Sequence, residues 1–244
     1  MLRKFFLLTS ALVFSACGTL EVGLDQTVTP NFNPVNPVQG EFNLAIGMRW
    51  TYSYSEYQPA PGDPTQVITA QYQLTETVTE INSTNGLFIA HIQSEEKPVQ
   101  VPAGWTPFSP QGEFWYVIKD QQVFQSNELV DFSRVNTDTL ILDFDFPLSV
   151  NRSWCPLQID FKNPNHPRVT NCDNGGKLTV LQQTAYQVPA GQFEDCFQTE
   201  LFYNDGPTYQ WFCKDIGVVE VNFDHAGTLF GFKQMLTGYD PGSR

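Results

Sequence analysis

Basic residues and histidine are scarce in this chain: 13 Lys and Arg stand against 26 Asp and Glu, with three His, in 244 residues. The resulting net charge of −13 excludes a nucleic acid held through its phosphates, and equally a membrane held through a basic patch, because both surfaces are anionic. Long apolar runs are missing as well. The longest, Phe5 to Phe14, is too short to cross a bilayer, so no transmembrane helix is expected. No window of ten or more residues carries an amphipathic helical period. G-x-S-x-G, H-E-x-x-H, P-loop and G-x-G-x-x-G fingerprints are absent, and the cysteines show no C-x2-C spacing. Neither a cofactor nor a metal is expected.

What is present is a period of two. Trp50, Tyr52 and Tyr54 alternate with Thr51, Ser53 and Ser55; Phe114, Tyr116 and Ile118 repeat the pattern, as do Leu140, Leu142, Phe144 and Phe146. Gly, Pro, Asn and Asp clusters separate these short runs, which is the signature of strands joined by turns. Short connections force antiparallel pairing, since a parallel pair needs a long crossover. The expected fold is all-β: one antiparallel curved sheet of about ten strands, closing into a barrel or half-barrel, stapled by disulfides.

Five cysteines set the covalent frame. Four pair by spacing, Cys155 with Cys172 and Cys196 with Cys213, each 17 residues apart. Four cysteines allow three pairings. The segment from Cys196 to Cys213 has Asn204, Asp205 and Gly206 at its centre between aromatic runs, so a two-residue turn there places those two cysteines opposite each other. Cys155 with Cys172 follows by elimination and closes a loop rich in Pro and Asn.

The fifth, Cys17, is the odd one. It follows MLRKFFLLTSALVFSA, with a positive start at Arg3 and Lys4, an apolar stretch, and small residues at Ser15 and Ala16. Phe14 to Cys17 resembles the bacterial lipobox, with phenylalanine where leucine is usual. Residues 1–16 are thus expected to be a signal peptide and Cys17 the acylated first residue of the mature chain. Loss of Arg3 and Lys4 takes the net charge from −13 to −15, so the anchor must be acyl chain rather than charge. Gly18, in place of the aspartate that favours inner-membrane retention in many double-membrane bacteria, points to the outer membrane. Residues 17–43 read as the lipidated cysteine and a flexible tether, and 44–244 as a single β domain.

Two local patterns recur. AIGMRW (45–50) and SVNRSW (149–154) each put a residue tolerant of left-handed backbone three before a tryptophan, and VPAG occurs at 101–104 and 188–191. They suggest duplicated halves, 44–148 and 149–244. Together, the leader, GMRWTYSY, VPAGQFEDCF, the run WFCKDIGVVE and the closing LTGY resemble uncharacterised bacterial envelope lipoproteins over residues 44–240. That resemblance implies an antiparallel barrel or half-barrel and transfers no catalytic residue. One departure is Asp215, where the family's G-V-G turn begins with glycine.

Candidate chemistry is sparse. His91, His166 and His225 share no motif, and His91 is expected at a strand surface. Asp143 and Asp145 fall on one strand face, which is expected to be solvated; a carboxylate-dependent hydrolase would need them to converge with other acids. Aromatic residues make up 14% of the chain, some adjacent, as in Trp115 with Tyr116 and Trp211 with Phe212. Adjacent strand residues face opposite sides, so one of each pair can line an interior. The expectation is therefore a monomeric, non-catalytic module, held at the membrane by lipid, that binds an unknown envelope ligand or protein. A structural lipoprotein without a small ligand is the alternative.

Overall fold

The alternation of aromatic and small polar residues from Trp50 onward makes one side of a strand bury its rings while the other meets solvent, and the same logic repeats along the chain. A computed structural model describes residues 36–84, 86–105, 112–126, 140–156, 172, 176–203 and 206–242. In chain order the strands are β1 (Arg49–Ala60), β2 (Asp63–Thr84), β3 (Leu87–Gln100), β4 (Glu113–Lys119), β5 (Gln122–Ser126) and β6 (Ile141–Asp145). They continue with β7 (Ser153–Trp154), β8 (Lys177–Val188), β9 (Gly191–Tyr203), β10 (Gly206–Cys213), β11 (Gly217–Asp224) and β12 (Gly231–Asp240). No helix occurs among the described residues.

All twelve strands join one sheet in the order β6-β5-β4-β3-β2-β1-β12-β11-β10-β9-β8-β7. Each pairing is antiparallel. Because β1 pairs with β12, the meander curls into a nearly closed barrel whose single unsealed seam lies between β6 and β7. Arg152 latches one end of that seam. Its guanidinium donates to Asp145 Oδ2 at 2.7 Å and to the Pro147 carbonyl at 3.0 Å, while Gln122 on β5 donates to Asp145 Oδ1 at 3.0 Å.

Three expectations change. The strands number twelve rather than about ten, partly because β7 is only two residues long and is defined by its pairing, Ser153 with Thr179 and Trp154 with Leu178, not by any run of its own. The tether ends earlier than residue 43. Val38 and Phe42 are buried in the core, Asn36 Nδ2 donates to the Phe42 carbonyl, and Lys214 pairs with Glu41 at 3.2 Å. Residues 36–43 thus belong to the folded body, held there by apolar burial that Pro and Asn content does not reveal.

The repeated motifs also separate. The two tryptophan motifs make the same turn: Gly47 and Asn151 have φ of 83° and 70°, and their N–H groups donate to Val78 and Val180 carbonyls at 2.8 Å in both cases. Val78 and Val180 return N–H bonds of 2.9 Å to the Met48 and Arg152 carbonyls. The VPAG sequences are not equivalent, since the first follows β3 and the second forms the turn between β8 and β9.

Both disulfides have the expected partners, Cys155 with Cys172 and Cys196 with Cys213. Cys196 sits directly opposite Cys213 across β9 and β10, and the pairing of Tyr203 with Gly206 leaves a two-residue connection at 204–205. Residues 204 and 205, the expected signal peptide at 1–16, Cys17, residues 18–35 of the expected tether, and His166 lie outside the described residues.

Candidate functional site

Inward-facing positions of β1 carry Trp50, Tyr52 and Tyr54, and their cross-strand partners on β2 are Glu76, Leu74 and Tyr72. Across the barrel, β4 supplies Phe114 and Tyr116. These side chains, with Asp143 of β6 and Phe42 of the N-terminal segment, surround an interior cavity of about 800 Å³. Gln125, Gln210 and Gln234 complete a wall that mixes rings with polar groups.

The rings are held in place by backbone carbonyls of the neighbouring β11 end of the chain. Trp50 Nε1 donates to the Ile216 carbonyl at 2.6 Å and the Tyr52 hydroxyl to the Val218 carbonyl at 3.0 Å, tying β1 to the start of β11. This start is a tight turn. Asp215 has φ of 62° and Gly217 of 99°, so both backbones occupy the region that favours glycine, and aspartate is among the few other residues that tolerate it. A side chain at 217 would also crowd the Phe42 ring, whose Cε2 would lie 3.1 Å from the added carbon. Phe42 spans the interior: its ring meets Tyr116 edge-on at 5.1 Å and Phe212 at 5.7 Å between centroids.

Polar groups in this wall without hydrogen-bond or ion-pair partners among the described residues include the carboxyls of Glu76 and Asp143 and the hydroxyl of Tyr116. Tyr116 is only 8% exposed. Ser94, opposite Glu76 on β3, has a buried Oγ that is likewise unpaired. Burial disfavours the charged form of each acid and pushes both carboxyls up to about 7. The Tyr116 hydroxyl is driven well above the usual phenol range, first by burial and then by the negative potential of Asp143 and Glu76. The remaining acid at the wall, Glu113, has a half-exposed side chain and pairs with His91 at 3.1 Å.

Asp143 lines the cavity rather than a solvated face, because the barrel curls β6 against the interior; Asp145 is engaged by Arg152 and Gln122. The two aspartates therefore have different surroundings, one bordering the cavity and the other held at the seam. His91 lies on β3, stacked on Trp115 at 4.8 Å and bonded to Thr79 and Glu113. His225 bonds to Thr228. Adjacent aromatics divide as expected, Tyr116 to the cavity with Trp115 stacked on His91, and Phe212 among Phe42, Phe144 and Phe146 with Trp211 stacked on Tyr186 at 3.9 Å. Glu76 was not singled out from the sequence. Its signal is an acid at the inward parity of Tyr72, Leu74 and Val78, where an apolar residue is due.

No protein-family model matches the chain, and no curated protein matches it. Among solved structures it is similar to a protein from Bacteroides fragilis described as exported, with a YmcC-like fold, at 15% identity and a TM-score of 0.44, over 82% of this chain and 98% of that one. It is also similar to a protein from Parabacteroides distasonis described as a lipoprotein, at 15% identity and a TM-score of 0.46, over 82% of this chain and 97% of the other.

Proposed function

We propose that the chain is an exported lipoprotein, anchored through Cys17 and directed to the outer membrane, whose barrel holds a small envelope ligand without transforming it. One observation carries the binding half of this reading: the interior keeps a cavity of about 800 Å³ and leaves polar groups there unpaired, which a side chain serving only to fill a core would not do. Ligand sites of this size, apolar in the main with a few convergent polar groups, are the ordinary form of small-molecule recognition. Binding is favoured over hydrolysis because Asp145, the natural partner for Asp143, is committed to the seam latch.

Native mass spectrometry of the protein purified from its own membranes tests the reading. The expected spectrum contains a bound small molecule, released on unfolding, and a polypeptide that begins at an acylated Cys17. A reproducibly unliganded mass removes the binding role and leaves a structural lipoprotein; an unmodified chain that fractionates with membranes as well as Cys17→Ser does removes the anchor.

A further inference from the structure

Charge inside the barrel is one-sided. Glu76 and Asp143 both border the cavity, no Lys, Arg or His lines it among the described residues, and neither carboxyl is paired. Tyr116 borders the same cavity; the residue is only 8% exposed, and its hydroxyl has no hydrogen-bond partner among the described residues. Trp50, Tyr52 and Phe42 add aromatic rings to the wall, and the first two are fixed by hydrogen bonds to the Ile216 and Val218 carbonyls. We infer that the ligand is an organic cation, an ammonium carried on an apolar body, whose charged head sits between Glu76, Asp143 and Tyr116 while its body lies against the rings.

This rests on the reading of the barrel as a ligand carrier. The alternatives fit the wall less well. An anion meets two acids and no compensating base. An apolar neutral molecule leaves the carboxyls and the phenol unpaired in a region from which it has driven water. A cation satisfies both: the carboxylates supply charge, Tyr116 turns its oxygen to accept from the ammonium, and the ring faces carry the negative quadrupole that attracts cations. Burial has already raised the cost of keeping the acids ionised and alone, so a bound cation restores their ionisation.

Calorimetric titration of the mature, disulfide-bonded protein near neutral pH with three isosteric probes tests the inference: 2-phenylethylammonium, 2-phenylethanol and phenylacetate. The cation is expected to bind at least about tenfold more tightly than the alcohol, with phenylacetate weakest, and Glu76→Gln or Asp143→Asn to reduce cation affinity by about tenfold or more. Cooperative urea unfolding of each variant confirms that it is folded. Alcohol or phenylacetate binding as tightly as the cation, or cation binding indifferent to both substitutions, overturns the cationic assignment while leaving a ligand carrier. Absence of binding by all three probes together with an unliganded native mass overturns both.

Discussion

Replacing Glu76 by glutamine should change how stability depends on pH more than it changes the fold. The carboxyl rises from an ordinary 4.5 to about 7 because burial in the barrel penalises its charge. With the folded-state value above the unfolded one, the native state binds the proton more tightly. The stability this contributes is present in full below about pH 4.5, declines as pH rises, and is gone above about 7. At about 1.4 kcal/mol per pH unit the whole change is about 3 kcal/mol, an upper value because cavity water screens the charge. Glutamine keeps the shape and removes the titration. Urea unfolding of ligand-free wild type and Glu76→Gln at pH 5 and pH 8 reads the effect directly. Wild type is expected to lose up to about 2.5 kcal/mol more than the variant between the two conditions, equivalent to roughly 5–10 °C in Tm for a domain of this size. Tyr52, Tyr116, Asp143 and Glu113 face the same space and remain in both proteins, so their contributions largely cancel in the comparison. Parallel stability curves would refute the argument that the barrel buries an unpaired acid.

Phe42→Ala should destabilise the domain by about 3–5 kcal/mol in urea unfolding, because a ring only 1% exposed leaves a cavity among Tyr116, Phe144 and Phe212; a cost below about 1 kcal/mol would return residues 36–43 to the tether. Peptide mapping of the unreduced protein should recover Cys196 linked to Cys213 and Cys155 linked to Cys172, and Cys196→Ser should cost about 2–4 kcal/mol, whereas any crossed linkage contradicts the β9–β10 register. Arg152→Ala should cost about 1 kcal/mol and speed amide hydrogen exchange in β6 and β7 ahead of the sealed β1–β12 junction; uniform exchange across both would mean that the seam is no weaker than the rest.

The all-β class, the antiparallel pairing and both disulfides were legible because each depends on local information: alternation sets the face, turn residues set the connection, and the distance from Cys196 to Cys213 matches one hairpin. What was not legible depends on closure. Nothing local in RWTYSY says that β1 will pair with β12, with Arg49 and Asp240 191 residues apart, or that the sheet will curl so that Glu76 and Asp143 border one cavity. Asp143 read as solvated because alternation identifies a strand's second face without saying whether the sheet curls over it. Phe42 was missed for the opposite reason, since a single ring among Pro, Asn and Gly carries no period and declares its burial only through partners on β4, β6 and β10.

A crystal structure of the protein isolated from its own envelope, without refolding, tests most directly whether the barrel interior is a ligand site. Electron density for an organic molecule against Trp50 and Tyr52, with a polar atom in hydrogen-bonding reach of Glu76, Asp143 or Tyr116, is the predicted result. An interior occupied by water alone, or closed by inward movement of the aromatic side chains so that the polar groups pair with one another, would contradict it.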